Sequence, residues 1–405
     1  MSNRRAQLGI IFLTILIDMI GFGIVIPVLP LYAEQYGATA VQNGMLIAVF
    51  SLAQFLAAPV WGKISDRVGR KPVLFVSILG TALGFWLMGA ATTLSMLFVA
   101  RLIDGIAGGN IGTAQAYVAD ISTPQERARA MGLIGAAFGL GFMVGPAIGG
   151  IMAGKFGYHS PMYLAAGMAL VNALVVLAIL PESLPPERRG EGRRESVFAV
   201  LHHSDRALYL RVTATYFLLT IGFSMMTFVF ALFLFHRFGI DSLGTGVLFA
   251  LVGFIGVVIQ GGLIGRLVKR FGEARLATFG GAILAASLFG LPFANGWPLL
   301  LVFSMGLAIG NSLFMPTLTS LASRSVKAGW QGRGLGLFQS AASLARWIGP
   351  ALAGVLLAMD LGRAKEFYAR TPLWAGAAIV AVSVILTLRL PRTVGPDAAK
   401  NPAAA

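Results

Sequence analysis

Runs of about twenty apolar residues recur from one end of this chain to the other, and they leave few folds open. ILIDMIGFGIVIPVLP, VLFVSILGTALGFWLMGA and FLLTIGFSMMTFVFALFLF are typical. A helix needs about 20 apolar residues to cross a hydrocarbon core roughly 30 Å thick. In lipid, each segment must satisfy its own backbone N–H and C=O groups, which helices do. A barrel would instead show ten-residue alternating segments. The chain is 57% hydrophobic and 12% charged, too little polar material to cover a water-facing surface. An all-α polytopic membrane protein with twelve spans is predicted. The spans run over about 8–31, 44–61, 73–92, 95–118, 130–153 and 161–180, then 208–235, 244–265, 276–294, 298–322, 334–358 and 372–390.

The basic residues give the orientation. With the N-terminus inside, the inner segments carry 24 of the 31 Lys and Arg, the outer segments 5, and Arg101 and Arg346 lie within spans. This asymmetry places both termini in the cytoplasm. It also accounts for the net charge of +15 without nucleic acid, because the cations sit between apolar runs rather than on one basic face. The chain has no Cys, which excludes disulfides and thiol chemistry. Its four His lie between spans in no metal-ligand pattern, so no metal is expected. The first apolar run continues to Leu31 without a small-residue cleavage site and is expected to be a retained span.

Two halves look alike. GKISDRVG at Gly62 matches GRLVKRFG at Gly265, an offset of 203. GGN at 108–110 resembles IGN at 309–311, offset by 201; RARAMG at 127–132 resembles QGRGLG at 331–336, and VGP at 144–146 resembles IGP at 348–350, both offset by 204. A duplicated six-helix unit follows, with a central site expected between pseudo-symmetric bundles. The predicted divisions are an N-terminal bundle over 1–180, a Pro-, Gly- and charge-rich cytoplasmic linker over 181–207, a C-terminal bundle over 208–392 and a tail over 393–405.

Ionisable groups inside a bilayer cost a few kcal/mol each and are functional candidates by default. Asp18 lies near the middle of the first span. A carboxylate taken out of water loses hydration of its charged form, so a group there can carry a coupling proton. Its alternative is a permanent pair with a neighbouring Arg. Gly21, Gly23, Pro27 and Pro30 are expected to loosen this helix. Arg101 and Asp104 share one face of the fourth span at i, i+3. They form either a self-contained ion pair or a tuning partnership in which Asp104 titrates or contacts substrate. Arg346, in the eleventh span, either balances a carboxylate or contacts an anionic or polar substrate. Asn110, Gln115, Gln260, Asn311 and Gln339 line the substrate cavity or bridge helices, with Met225, Met226, Phe228 and Phe314 as apolar neighbours.

The stretch GKISDRVGRKP packs Lys63, Asp66, Arg67, Arg70 and Lys71 into eleven residues. It is expected to form a short cytoplasmic turn, with Gly62 and Gly69 at tight turns or close backbone approaches. LFVARLIDGIAGG holds the membrane Arg101, and Gly132, Gly141, Gly145-Pro146 and Gly149-Gly150 keep a G-x8-G-x3-GP-x2-GG spacing in the fifth span. With these three motifs, nearly the whole chain resembles the major facilitator superfamily, and within it the twelve-span drug:proton antiporters that include the tetracycline efflux pumps. The resemblance implies a bacterial cytoplasmic (inner) membrane location and export of small lipophilic or amphipathic compounds. It gives Asp18 and Arg101 proton-coupling roles. It also places Asp66 near Arg333 and Gly334, and pairs Arg70 with Asp120, as a latch that opens with the inner gate. The second copy, GRLVKRFGEA, has Lys269 in place of the Asp and is expected to lack an equivalent latch. The ninth span, ATFGGAILAASLFGLPF, departs from the tetracycline pumps in having no acidic residue.

A P-loop is missing, so a proton gradient rather than a nucleotide or other cofactor is the expected energy source. Protons, membrane lipids and a small lipophilic substrate are the expected partners of a monomer. A lipid or metabolite carrier of the same fold is the alternative. A membrane enzyme would need a constellation such as HExxH or GxSxG, and neither occurs. A non-transporting sensor would not need a titrating Asp18.

Overall fold

The computed structural model describes residues 2–122, 127–189, 197–327 and 330–390. These are almost entirely helical; the one β feature among them is an isolated bridge between Ser204 and Val326. Twelve helical stretches are long and apolar enough to cross a membrane.

The chain divides into two compact units. One is Met1–Arg194 with Gly239–Gly253; the other is Glu195–Phe238 with Phe254–Ala405. The first unit holds α1 (Ser2–Gln35), α2 (Ala40–Val68), α3 (Arg70–Gly89), α4 (Leu94–Ala107), α5 (Ile111–Ile121), α6 (Arg127–Phe156) and α7 (His159–Ile179), plus the start of α9 (Ser242–Val258). The second holds α8 (Arg206–Phe238), α10 (Ile264–Phe271), α11 (Glu273–Gly290), α12 (Trp297–Arg324), α13 (Gln331–Ala358) and α14 (Arg370–Thr387), with the end of α9. A 3-10 turn, Gly108–Asn110, joins α4 to α5 into one span, and a π-turn, Ile259–Leu263, joins α9 to α10.

Local chemistry starts several helices. Thr39 and Gln42 form a reciprocal capping box at α2, and Thr93 caps α4 through the Met96 N–H. Packing then follows small residues. In membranes helices gain little hydrophobic energy from touching one another, so close van der Waals fit decides which faces meet. The fifth-span glycines show this directly. A methyl on Gly145 would lie 2.6 Å from the Ile20 carbonyl oxygen and 2.7 Å from Gly23 Cα; one on Gly149 would lie 2.9 Å from Ile24 Cα. Gly141 meets Met19 in the same way. Positions 141, 145 and 149 thus form one stripe of α6 against α1. Gly150 turns to the other side, where its methyl would lie 2.6 Å from Gly246 Cα of α9. Pro146 packs on Gly23, with 2.9 Å between its Cδ and a methyl built there. Gly132 is in α6, and its surroundings lie outside the described residues.

Gly21 and Gly23 were expected to loosen α1. The helix instead runs unbroken through Pro27 and Pro30. Gly21 faces the Phe85 ring and Gly23 faces Gly141, so both glycines are contact points. In the second unit α8 is the central helix, packed on α13, α14 and α12. Tyr209, Tyr216, Phe228, Phe230 and Phe233 along it are fully buried.

Candidate functional site

The first unit gathers its intramembrane polar groups around Asp18. On α1, Asp18 is half-buried, and Asn172 of α7 donates from Nδ2 to its Oδ1 at 3.5 Å and to the Thr14 carbonyl at 3.1 Å. Asn110, at the 3-10 turn of the fourth span, donates to Ser77 Oγ at 2.8 Å. The helical spacing of Arg101 and Asp104 brings Arg101 Nη1 to Asp104 Oδ2 at 2.8 Å, with the two residues 2% and 3% exposed. The guanidinium also lies 4.2 Å over the Phe50 ring. Gly84 admits this arrangement: a methyl there would sit 2.8 Å from Asp104 Cβ. With Arg101 neutralising Asp104, the trio carries one negative charge when Asp18 is ionised and none when it is protonated.

Asn172 was not among the expected site residues. The run MALVNALVVLAI carries it as a lone amide, which was a usable signal. Gln115 and Asn311 are half-buried, and Gln260 is exposed within the π-turn. Met225, Met226, Phe228 and Phe314 are all buried. In the second unit Arg346 donates to Ser343 Oγ at 2.8 Å, and the Ser343 hydroxyl donates to the Gln339 carbonyl at 3.1 Å.

The charge-dense stretch differs from its expected form. It is not a loop over 62–72: α2 continues to Val68, α3 starts at Arg70, and Gly69 alone makes the turn. Gly62 therefore sits inside a helix, with open space where a methyl would go, and serves neither a turn nor a close approach. The segment is polar but has no helix breaker before Gly69, so the helix outruns its apolar part. Gly69 has φ +119°, a conformation that L side chains rarely adopt, and its α-carbon faces the Glu182 carboxyl. Arg70 Nη1 donates to Asp66 at 2.6 Å and to Ser65 Oγ at 2.6 Å, and its Nε donates to Asp120 at 3.2 Å. Arg67 is exposed.

Glu182 completes this corner from 112 residues away. Its carboxylate accepts the backbone N–H groups of Arg70 at 2.8 Å and Lys71 at 3.1 Å, and those of Ser183 and Leu184 at 2.9 and 3.0 Å. It supplies the cap that Gly69 cannot, at a helix end that favours negative charge. Glu182→Ala is expected to destabilise the folded protein by about 1–2 kcal/mol. The check is a lowered thermal midpoint of the purified protein, with Glu182→Gln in between.

The second half does have a counterpart to the Arg70–Asp120 pair, contrary to expectation, with the signs exchanged. Gly272 (φ +79°) makes the turn as Gly69 does, and Glu273, which follows it as Arg70 follows Gly69, pairs with Arg324 at 3.5 Å and accepts from Ser320 Oγ at 2.5 Å. Positions 70 and 273 differ by 203, and 120 and 324 by 204, the same offsets as the sequence repeat. Comparing only Asp66 with Lys269 hides the pair, because both of its members have exchanged charge. Arg333 lies over the Trp330 ring at 4.7 Å.

The profile of the major facilitator superfamily matches residues 11–294 and 212–405. The chain belongs to the major facilitator superfamily. As a member it is a multi-pass membrane protein of a transporter family. It is 33% identical to multidrug resistance protein 2 of Bacillus subtilis (strain 168) over 89% of this chain and 91% of that one. It is also 33% identical to the class B tetracycline resistance protein of Escherichia coli, over 89% and 88% of the two chains. Among solved structures, the human organic anion transporter MFSD10 (TETRAN) superposes with a TM-score of 0.72 at 25% identity, over 95% and 99% of the chains. A bacterial homolog of the human lysosomal transporter Spinster superposes with a TM-score of 0.78 at 15% identity over 97% and 98%, which bears on the fold alone.

Proposed function

We propose that this superfamily member is a proton-coupled exporter of small lipophilic or amphipathic compounds, working by alternating access from a bacterial cytoplasmic membrane with both termini inside. The observation that carries the proposal is the Asp18 group: a half-buried carboxylate at mid-span, held by Asn172 in the same helical unit as the buried Arg101–Asp104 pair. Protonation of Asp18 switches that group between one negative charge and none. A charged cluster is costly to seal within a bilayer and a neutral one is not. The exchange of one proton therefore biases which side the site faces, and substrate leaves as the proton enters. Export of drugs is supported by the multidrug and tetracycline resistance relatives, each matched over most of its length.

The Asp66–Arg70–Asp120 group is the inner latch in this proposal, and the 43% exposed Asp66 carboxyl is the part a gate can engage. Substrate, protons and surrounding lipid are the only partners invoked, and no cofactor is. The test is flux into proteoliposomes under an imposed pH gradient, with a panel of lipophilic cations, neutral drugs and lipids. At least one drug is expected to accumulate against its gradient and to stop when the pH difference is collapsed. Movement of none, or movement indifferent to the pH gradient, refutes proton-driven export.

A further inference from the structure

The two arginines within the spans are in opposite states. Arg101 is sealed: it is 2% exposed, ion-paired to Asp104 and stacked on Phe50. Arg346 is half-buried, and within its own unit no described carboxylate lies within ion-pair distance. Its one hydrogen-bond acceptor is Ser343, three residues away on the same helix, which neutralises no charge. A guanidinium has five N–H donors. None of those on Arg346 is among the buried unpartnered atoms, so the remainder reach accessible space.

That space is not the outer surface of α13. The exposed apolar side of the helix is marked by Val355 at 48% exposure. Nine residues at 3.6 per turn put Arg346 about 180° around the helix from it. On the side of Arg346 stands α8, where Tyr216 is 1% exposed and stacked on Phe338 at 4.1 Å. Gln339 lies one turn before Ser343, whose hydroxyl donates to the Gln339 backbone carbonyl at 3.1 Å. Gln339, Ser343 and Arg346, at spacings of four and three, thus share one face of α13. A lone cation in a span carries an insertion cost that a purely structural role would cancel with a carboxylate, as Arg101 does.

We propose that Arg346, with Gln339 and Ser343, is the recognition site for an oxyanion, a carboxylate or enolate, on an otherwise apolar substrate. The guanidinium fork matches two oxygens of such a group. This deepens the export proposal by naming its substrate class: zwitterionic or anionic amphiphiles in preference to lipophilic monocations.

The test uses three matched probes that differ only in the head group: pyrenebutyrate, pyrenebutanol and pyrenebutylammonium. Their affinities are measured by fluorescence on the purified full chain in lipid nanodiscs. The wild-type chain is expected to bind the butyrate about tenfold or more tightly than the alcohol, and the ammonium no better than the alcohol. Arg346→Gln is expected to bring butyrate and alcohol within about twofold of each other, and Arg346→Lys to retain part of the preference. A thermal midpoint like that of the wild type shows that each variant is folded. A wild-type chain without carboxylate preference, one preferring the ammonium, or a preference that survives Arg346→Gln would each overturn the assignment. Binding is read without any proton gradient, so its outcome is independent of the flux result. Proton-driven export of neutral or cationic drugs with no carboxylate preference defeats this assignment and leaves export standing; the reverse pattern defeats proton coupling alone.

Discussion

Asp18→Asn is expected to abolish uphill transport while leaving the protein inserted and folded. Each pH unit across the membrane is worth about 1.4 kcal/mol per proton, which sustains about a tenfold accumulation if one proton is exchanged per substrate. Asparagine has nearly the shape of the acid and still offers an oxygen to the Asn172 amide, which reaches Asp18 at 3.5 Å. It cannot take up a proton. Accumulation in proteoliposomes under a one-unit gradient should therefore fall to equality, while equilibrium exchange of labelled substrate continues. Full accumulation by the variant would show that the proton travels elsewhere, and Asp104 would be the next group to test.

Arg101 is expected to give the largest effect on stability. It and Asp104 are both almost completely buried, 2.8 Å apart, and Arg101 covers the Phe50 ring. Arg101→Ala leaves the Asp104 carboxylate without its counter-charge, and breaking a buried pair from one side costs about 3–5 kcal/mol. The Arg101→Ala/Asp104→Ala double variant removes both charges and is expected to be more stable than the single. Thermal midpoints of the purified proteins, followed by intrinsic fluorescence, test that order. A double variant less stable than Arg101→Ala would mean that Asp104 is held by something other than Arg101. Transport by the double variant separates the two roles left open by the spacing. Normal proton-driven flux makes the pair structural, whereas loss of flux in a stable double variant makes it part of the coupling group.

Much of this site was legible because it is local. An i, i+3 spacing puts Arg101 and Asp104 on one helical face whatever the rest of the protein does. The fifth-span glycines at 141, 145 and 149 are a stripe for the same reason, and the backbone of α1 lies directly against them. Contacts across long separations were not legible. Asn172 lies 154 residues from Asp18, and Glu182 lies 112 from the Arg70 N–H it accepts. An amide or a glutamate has no spacing signature when its partner is on another helix. Pseudo-symmetry revealed the repeat through its glycines but concealed the Glu273–Arg324 pair, because Coulomb attraction is unchanged when both signs are exchanged.

By itself, the sequence determined a twelve-span helical protein of duplicated build, since lipid leaves a long apolar segment no way to satisfy its backbone except within its own helix. It also determined where charge enters the spans. Only the tertiary structure decided which charges are neutralised. It gave Asp18 the Asn172 amide and, among the described residues of its unit, left Arg346 with a serine in place of a carboxylate. The physical reason is one of range: backbone hydrogen bonding is settled within a few residues, whereas the energy of a charge depends on every group brought within a few ångströms of it by packing.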